Sequence, residues 1–124
     1  MARYRVFKTS WFARAARKAR IEDPTLCRAV AQTVLGQADD LGGGVFKKRL
    51  NDNRHRAILL AKADEFWVFT YLFAKQDRAN IDDDELRAFR ALATLYRNKT
   101  GKDIAAELAS GALTEICHDD ETRL

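Results

Sequence analysis

Proline occurs once and glycine six times in 124 residues, which excludes collagen-like and linker-like chains. Cysteine occurs twice, at Cys27 and Cys117, too few for a disulfide framework and without zinc-ligand spacing around either. That usage reads as a reduced, cytoplasmic protein, with Cys27, on an apolar helix face, buried and inert. No apolar run approaches the roughly 20 residues that span a bilayer, and the basic, interrupted stretch Met1–Arg20 reads as no secretion signal. Histidine also occurs only twice, and spacing assembles no nucleophile–histidine–carboxylate set. No internal repeat is visible. What is present is 47% apolar and 32% charged residues, material for one packed domain over 1–124.

The charge is unevenly placed. Residues 1–62 carry 14 Lys/Arg against 5 Asp/Glu, whereas residues 63–124 carry 8 against 13. A basic half and an acidic half on one small domain can turn a positive face to nucleic acid. An ordinary surface with uneven charge has the same composition, so both readings stay open at this level.

Polar and apolar residues alternate over Arg3–Lys8, which predicts a strand. Thr9 or Ser10 can cap a helix over about 11–21. Trp11, Phe12, Ala15, Ala16 and Ala19 share its apolar side, opposite Arg14, Arg17, Lys18 and Arg20. Asp23-Pro24 opens a second helix that ends at Gly36. Residues 37–44 read as a loop. Strands follow at 45–50, 56–62 and 66–73, separated by turns at Asn51-Asp52-Asn53 and Ala63-Asp64-Glu65. Short connections make this an antiparallel meander. Its last strand carries Trp67, Phe69, Tyr71 and Phe73 on one face and Phe66, Val68 and Leu72 on the other, which predicts a covered central strand. Asp82 and Glu85 form a capping box, with Ile81 and Leu86 as a hydrophobic staple, for a helix to about Asn98. Thr100 and Asp103 start another helix whose last turn ends near Cys117, and His118–Leu124 reads as a flexible tail. The predicted fold is α+β, a small twisted antiparallel sheet of an N-terminal strand plus the meander, flanked by two N-terminal helices and by C-terminal helices.

Basic side chains gather on the meander. Lys47, Lys48 and Arg49 lie on its first strand, Arg54, His55 and Arg56 around the hairpin, Lys62 further along, and Lys75 at the end of the aromatic strand. Alternation places Lys47 and Arg49 on one face and Lys48 with Phe46 and Leu50 on the other. Such a cluster suits a phosphodiester, since arginine forks onto phosphate oxygens and lysine supplies a point charge or, with a depressed pKa, a base. Edge strands also carry Lys and Arg simply to block edge-to-edge pairing, and the residues alone do not decide between these. Gly42-Gly43-Gly44 lacks the Gly-Lys-Ser/Thr ending of a phosphate loop and precedes a strand. His55 reads either as a general acid or base or as a solvated turn residue. Capping accounts for the acidic run Asp82–Glu85, so neither a metal nor a cofactor is expected. The aromatic stripe at 66–73 reads as core rather than as a base-stacking surface.

The stretches Leu41-Gly42-Gly43-Gly44-Val45-Phe46-Lys47-Lys48-Arg49-Leu50 and Phe73-Ala74-Lys75-Gln76-Asp77-Arg78-Ala79-Asn80-Ile81 together resemble the RelE-like toxins of bacterial type II toxin–antitoxin systems. Phe7-Lys8-Thr9-Ser10-Trp11-Phe12 resembles the opening of the HigB-like branch, and the likeness runs over about residues 4–96. It implies a metal-independent endoribonuclease that enters the ribosomal A site, cuts messenger RNA and inhibits translation. The implied partners are the ribosome, mRNA and a cognate helix-turn-helix antitoxin, with no membrane. The resemblance implies that Lys47 or Lys48 is the base, Arg56 the charge stabiliser and Lys75 a second stabiliser or acid, with Arg49, Arg54, His55, Lys62 and Asn80 contacting RNA. The hairpin Asn51–His55 departs from the family pattern, whose loop is longer and rich in glycine, lysine and serine. Residues 100–117 are expected as a helical extension beyond the family core. A ParE-like gyrase poison and an inactive toxin acting as an antitoxin-bound co-repressor are the alternatives.

Overall fold

The structure, a computed structural model, describes residues 4–62 and 65–118. Six strands and four helices follow in the order β1 (Arg5–Thr9), α1 (Ser10–Lys18), α2 (Asp23–Val34), β2 (Asp39–Gly42), β3 (Val45–Leu50), β4 (His55–Lys62), β5 (Phe66–Ala74), α3 (Asp83–Arg97), α4 (Gly101–Ser110) and β6 (Leu113–Ile116). The sheet order is β2-β3-β4-β5-β1-β6, antiparallel throughout except for the parallel pair β1–β5. The expected α+β meander is therefore present, inside a sheet two strands wider than expected.

The two added strands lie at the edges. Asp39–Gly42 has turn-like composition and was expected as loop, yet it pairs with β3 because the Gly42-Gly43-Gly44 turn reverses the chain there. Leu113–Ile116 was expected as helical and is strand β6. Gly111, at φ 85°, ends α4, and Leu113 and Ile116 then reach opposite faces of the sheet, as alternation requires and helical spacing forbids. Residues 119–124 of the expected tail, and Ala63-Asp64 of the expected turn, lie outside the described residues.

Each face of the sheet has its own core. α1 and α2 cover one, with Phe12, Ala16, Leu26 and Val30 packed on Val6, Leu59, Phe69 and Leu72. α3 and α4 cover the other, with Ala93, Tyr96 and Ile104 packed on Phe7, Val45, Ile58 and Leu60. The capping boxes at Asp82 and Thr100 form as the sequence predicts, each with its partner three residues on. Three departures matter. Cys27 and Cys117 are not free thiols; they form a disulfide that ties α2 to the residue after β6. Trp11 does not follow Phe12 and Ala16 into the core but stays 45% exposed at the start of α1. Finally, one extra residue in β5, Thr70, bulges between the pairs Ile58↔Tyr71 and Leu59↔Phe69. Beyond it every side chain changes face, so Tyr71 and Phe73 leave the side of Trp67 and Phe69 and join that of Phe66 and Val68. The Thr70 hydroxyl donates to the Ile58 carbonyl at 2.9 Å, which satisfies it in the buried bulge.

Candidate phosphate-binding face

The bulge decides what stands beside the basic residues. In register, Arg49 lies directly opposite Arg56, and Arg56 directly opposite Phe73. Lys47, Arg49, Arg56, Tyr71 and Phe73 thus occupy one face, at the end of the sheet where the β3–β4 turn lies. Two like charges directly opposite on adjacent strands repel. Among the described residues no carboxylate lies within ion-pair distance of either arginine.

The turn holds one of the two in place. Asn51, Asp52 and Asn53 all have positive φ (54°, 54° and 71°), a conformation Asn and Asp tolerate better than most residues. This aims the Asn53 and His55 carbonyls at Arg56, whose Nη1 donates to them at 3.0 and 3.1 Å. Arg56 is buried, 9% exposed, with its stem over the core; Arg49 is exposed. A guanidinium fixed by one nitrogen keeps the rest of its fork for an anion.

Lys47 lies between two acceptors, the Asn80 carboxamide oxygen at 3.2 Å and Asp39 at 3.7 Å. Asn80 also accepts from the Ile81 backbone N–H at 2.9 Å. Arg78 fastens this corner. It donates to the Asn80 carbonyl at 3.0 Å and to Glu85 at 2.9 Å, and its guanidinium stacks 5.6 Å from the Phe73 ring centre. The Arg78 hydrogen bonds, with the Asp82 backbone N–H, hold the Glu85 carboxyl below the usual range. Sequence reasoning passed over Arg78, Tyr71 and Phe73. Arg78 stood within a quoted motif, but the aromatic residues come to this face only through the bulge.

The remaining candidates are distributed differently. Lys48 points to the opposite face, where its ammonium donates to the Gln37 carbonyl at 2.9 Å; burial, with Arg49 next to it, pushes its pKa down. Arg54, His55 and Lys75 meet around the turn, where the Lys75 N–H donates to the Arg54 carbonyl at 2.9 Å and all three line a groove of about 670 Å³. His55 is held below its ordinary value by burial and by Arg54, with Asp77 acting against them, and its Nδ1 meets the Asn51 amide at 3.2 Å. Lys62 is not part of this cluster. It lies six residues from Arg56 along β4, roughly 20 Å away at the rise of a strand, and pairs with Glu65 at 3.1 Å. Among the described residues, no three His, Cys, Asp or Glu side chains gather to hold a metal, and no helix is long and apolar enough to cross a membrane.

A mixed six-strand sheet with helices on both faces, carrying Arg49 and Arg56 opposite each other on β3 and β4, defines a small α+β protein. A family model described as the RelE toxin of the RelE/RelB toxin–antitoxin system matches residues 4–116. The chain belongs to the RelE toxin family and is a toxin of a toxin–antitoxin system, with an antitoxin as its partner. The matched residues include α4 and β6. No curated protein and no solved structure matches the chain.

Proposed function

We propose that this toxin is an endoribonuclease that cleaves messenger RNA on the ribosome, and that its antitoxin neutralises it by covering the same cationic face. The observation that carries this reading is the Arg49–Arg56 pair, two arginines directly opposite each other in register on β3 and β4, neither of them ion-paired to a carboxylate among the described residues. A phosphodiester on that pair relieves their repulsion and is gripped in a fork. In the reaction, the ribose 2′-hydroxyl passes its proton to Lys47 as its oxygen bonds to phosphorus, and the bond to O5′ breaks with O5′ taking a proton from Lys75, leaving a cyclic phosphate and a 5′-hydroxyl. Arg49 and Arg56 spread the charge of the phosphorane, which is where preorganised donors act most strongly. Lys47 shares their face and is the lysine of the Lys47–Lys48 pair that reaches a substrate there. Lys75 and His55, at the turn, serve the leaving-group side.

An ordinary lysine, with a pKa near 10.4, is a poor base at neutral pH. Positioning by the ribosome supplies what the side chains lack, since fixing the 2′-hydroxyl in line with the leaving oxygen can be worth roughly 7–11 kcal/mol. The test places purified toxin with a synthetic RNA in chelator, beside the same message on programmed ribosomes. Rapid cleavage only on ribosomes is the expected result. Equally rapid cleavage of naked RNA overturns the ribosome dependence. No cleavage in either, together with inhibition of DNA gyrase, would move the assignment to a ParE-like poison.

A further inference from the structure

Trp11 is the large aromatic side chain that the fold leaves most open, and its surroundings give that exposure a use. It stands two residues past the α1 N-cap, where Thr9 accepts from the Phe12 N–H at 3.1 Å, so the helix start fixes its backbone. One side of the indole rests on Tyr71, ring centres 5.1 Å apart and planes tilted by 32°. Tyr71 is in turn 5.8 Å from Phe73, the residue directly opposite Arg56. A continuous row of rings therefore leads from the arginine pair to Trp11. Cations flank the row, with Arg78 over Phe73 and the exposed Arg14 one helical turn from Trp11. The nearby carboxylate, Glu85, is already taken by Arg78.

An aromatic row leading from Arg49 and Arg56, which no carboxylate among the described residues pairs, matches an unpaired nucleotide strand, whose phosphates seek charge while its bases seek flat apolar faces. We propose that Trp11 is a stacking platform for an unpaired RNA base flanking the phosphate held by Arg49 and Arg56. This inference rests on the RNA reading above and identifies the substrate as single-stranded at that position. Stacking accepts any base, so Trp11 grips position rather than identity.

The chain has two tryptophans, Trp11 and Trp67, and Trp67 packs edge-on against Phe46, 5.1 Å between ring centres. Full-length toxin labelled with 5-fluorotryptophan therefore gives two fluorine resonances, assigned by a Trp67→Phe variant. A short single-stranded RNA blocked at its 2′-hydroxyls should shift the Trp11 resonance and leave that of Trp67 in place; the same RNA as a duplex should not. Trp11→Ala should weaken binding of this RNA, read by anisotropy, about tenfold, within the 1–3 kcal/mol of one stacked base. Trp11→Phe should recover most of the loss and guards against a fold defect in the alanine variant. RNA that binds by anisotropy without moving the Trp11 resonance overturns the platform while sparing the RNA reading. RNA that does not bind the free toxin at all overturns the platform, while cleavage on ribosomes decides the RNA reading separately. A Trp11 resonance that responds to antitoxin and not to RNA makes this a protein-docking surface and overturns the proposal.

Discussion

Arg56 is both a site residue and a structural one. Its Nη1 closes the β3–β4 turn through two carbonyls, so Arg56→Ala should lower stability by about 1–2 kcal/mol as those part-buried, charge-assisted hydrogen bonds are lost. Arg49 is exposed, and Arg49→Ala should change stability by less than about 0.5 kcal/mol. Both variants should lose on the order of 10²-fold in cleavage on ribosomes. Chemical denaturation beside single-turnover cleavage checks the pair; retention of wild-type cleavage by both would remove the arginine face from the mechanism. His55 gives a pH signature. Burial and Arg54 hold its folded pKa below the ordinary 6.5, so near that value the unfolded chain binds more protons than the folded one. The stability contribution is complete above the unfolded pKa and is lost as the pH falls toward the folded one. Unfolding free energy should therefore decline from pH 7 to about 5.5, above the carboxylate range, and His55→Gln should flatten that slope.

The elements that flank the site are held by their turns. Gly44 has φ 85°, and a Cβ there would meet the Arg97 guanidinium at 2.7 Å and the Ala61 carbonyl oxygen at 3.1 Å. Arg97 is the residue that donates to the Gly43 carbonyl at 3.0 Å, fastening α3 over the β2–β3 turn. Gly44→Ala combines backbone strain with that collision and should cost about 1–3 kcal/mol. Thermal denaturation measures this, and an unchanged midpoint would show that Arg97 is not needed to hold the turn. β2 carries Asp39, the carboxylate next to Lys47, so loosening this hairpin also loosens one wall of the site.

At the scale of the whole molecule, the disulfide joins residues 90 positions apart and fastens the outermost strand, through Cys117, to α2 on one face. Closing a loop of that length removes much of the unfolded chain's freedom, worth on the order of 4 kcal/mol in the chain-entropy account. Cys117→Ser, or reduction of the wild type, should lower the denaturant midpoint accordingly. A midpoint that does not respond to reductant would show that the thiols are unpaired in solution. The arginine face lies on β3 and β4, well inside the sheet from β6, so RNA binding at a temperature below both transitions should survive the same substitution.

Local chemistry determined a large part of this protein. The capping boxes at Asp82 and Thr100, the proline at the start of α2 and the alternation of β3 are short-range effects, and each formed where its residues stand. The basic strand and the family likeness were legible for the same reason, since they are runs of neighbouring residues. Tertiary structure decided what depends on partners distant in the chain. Edge strands β2 and β6, short and weakly patterned, exist because neighbours offer them hydrogen bonds. The Cys27–Cys117 bond required two residues to meet across the fold. The bulge at Thr70 reversed the faces of Tyr71 and Phe73, setting aromatic rings beside Arg56. A period of two is exact, so one inserted residue changes every position after it, and only pairing with β4 determines where that residue goes.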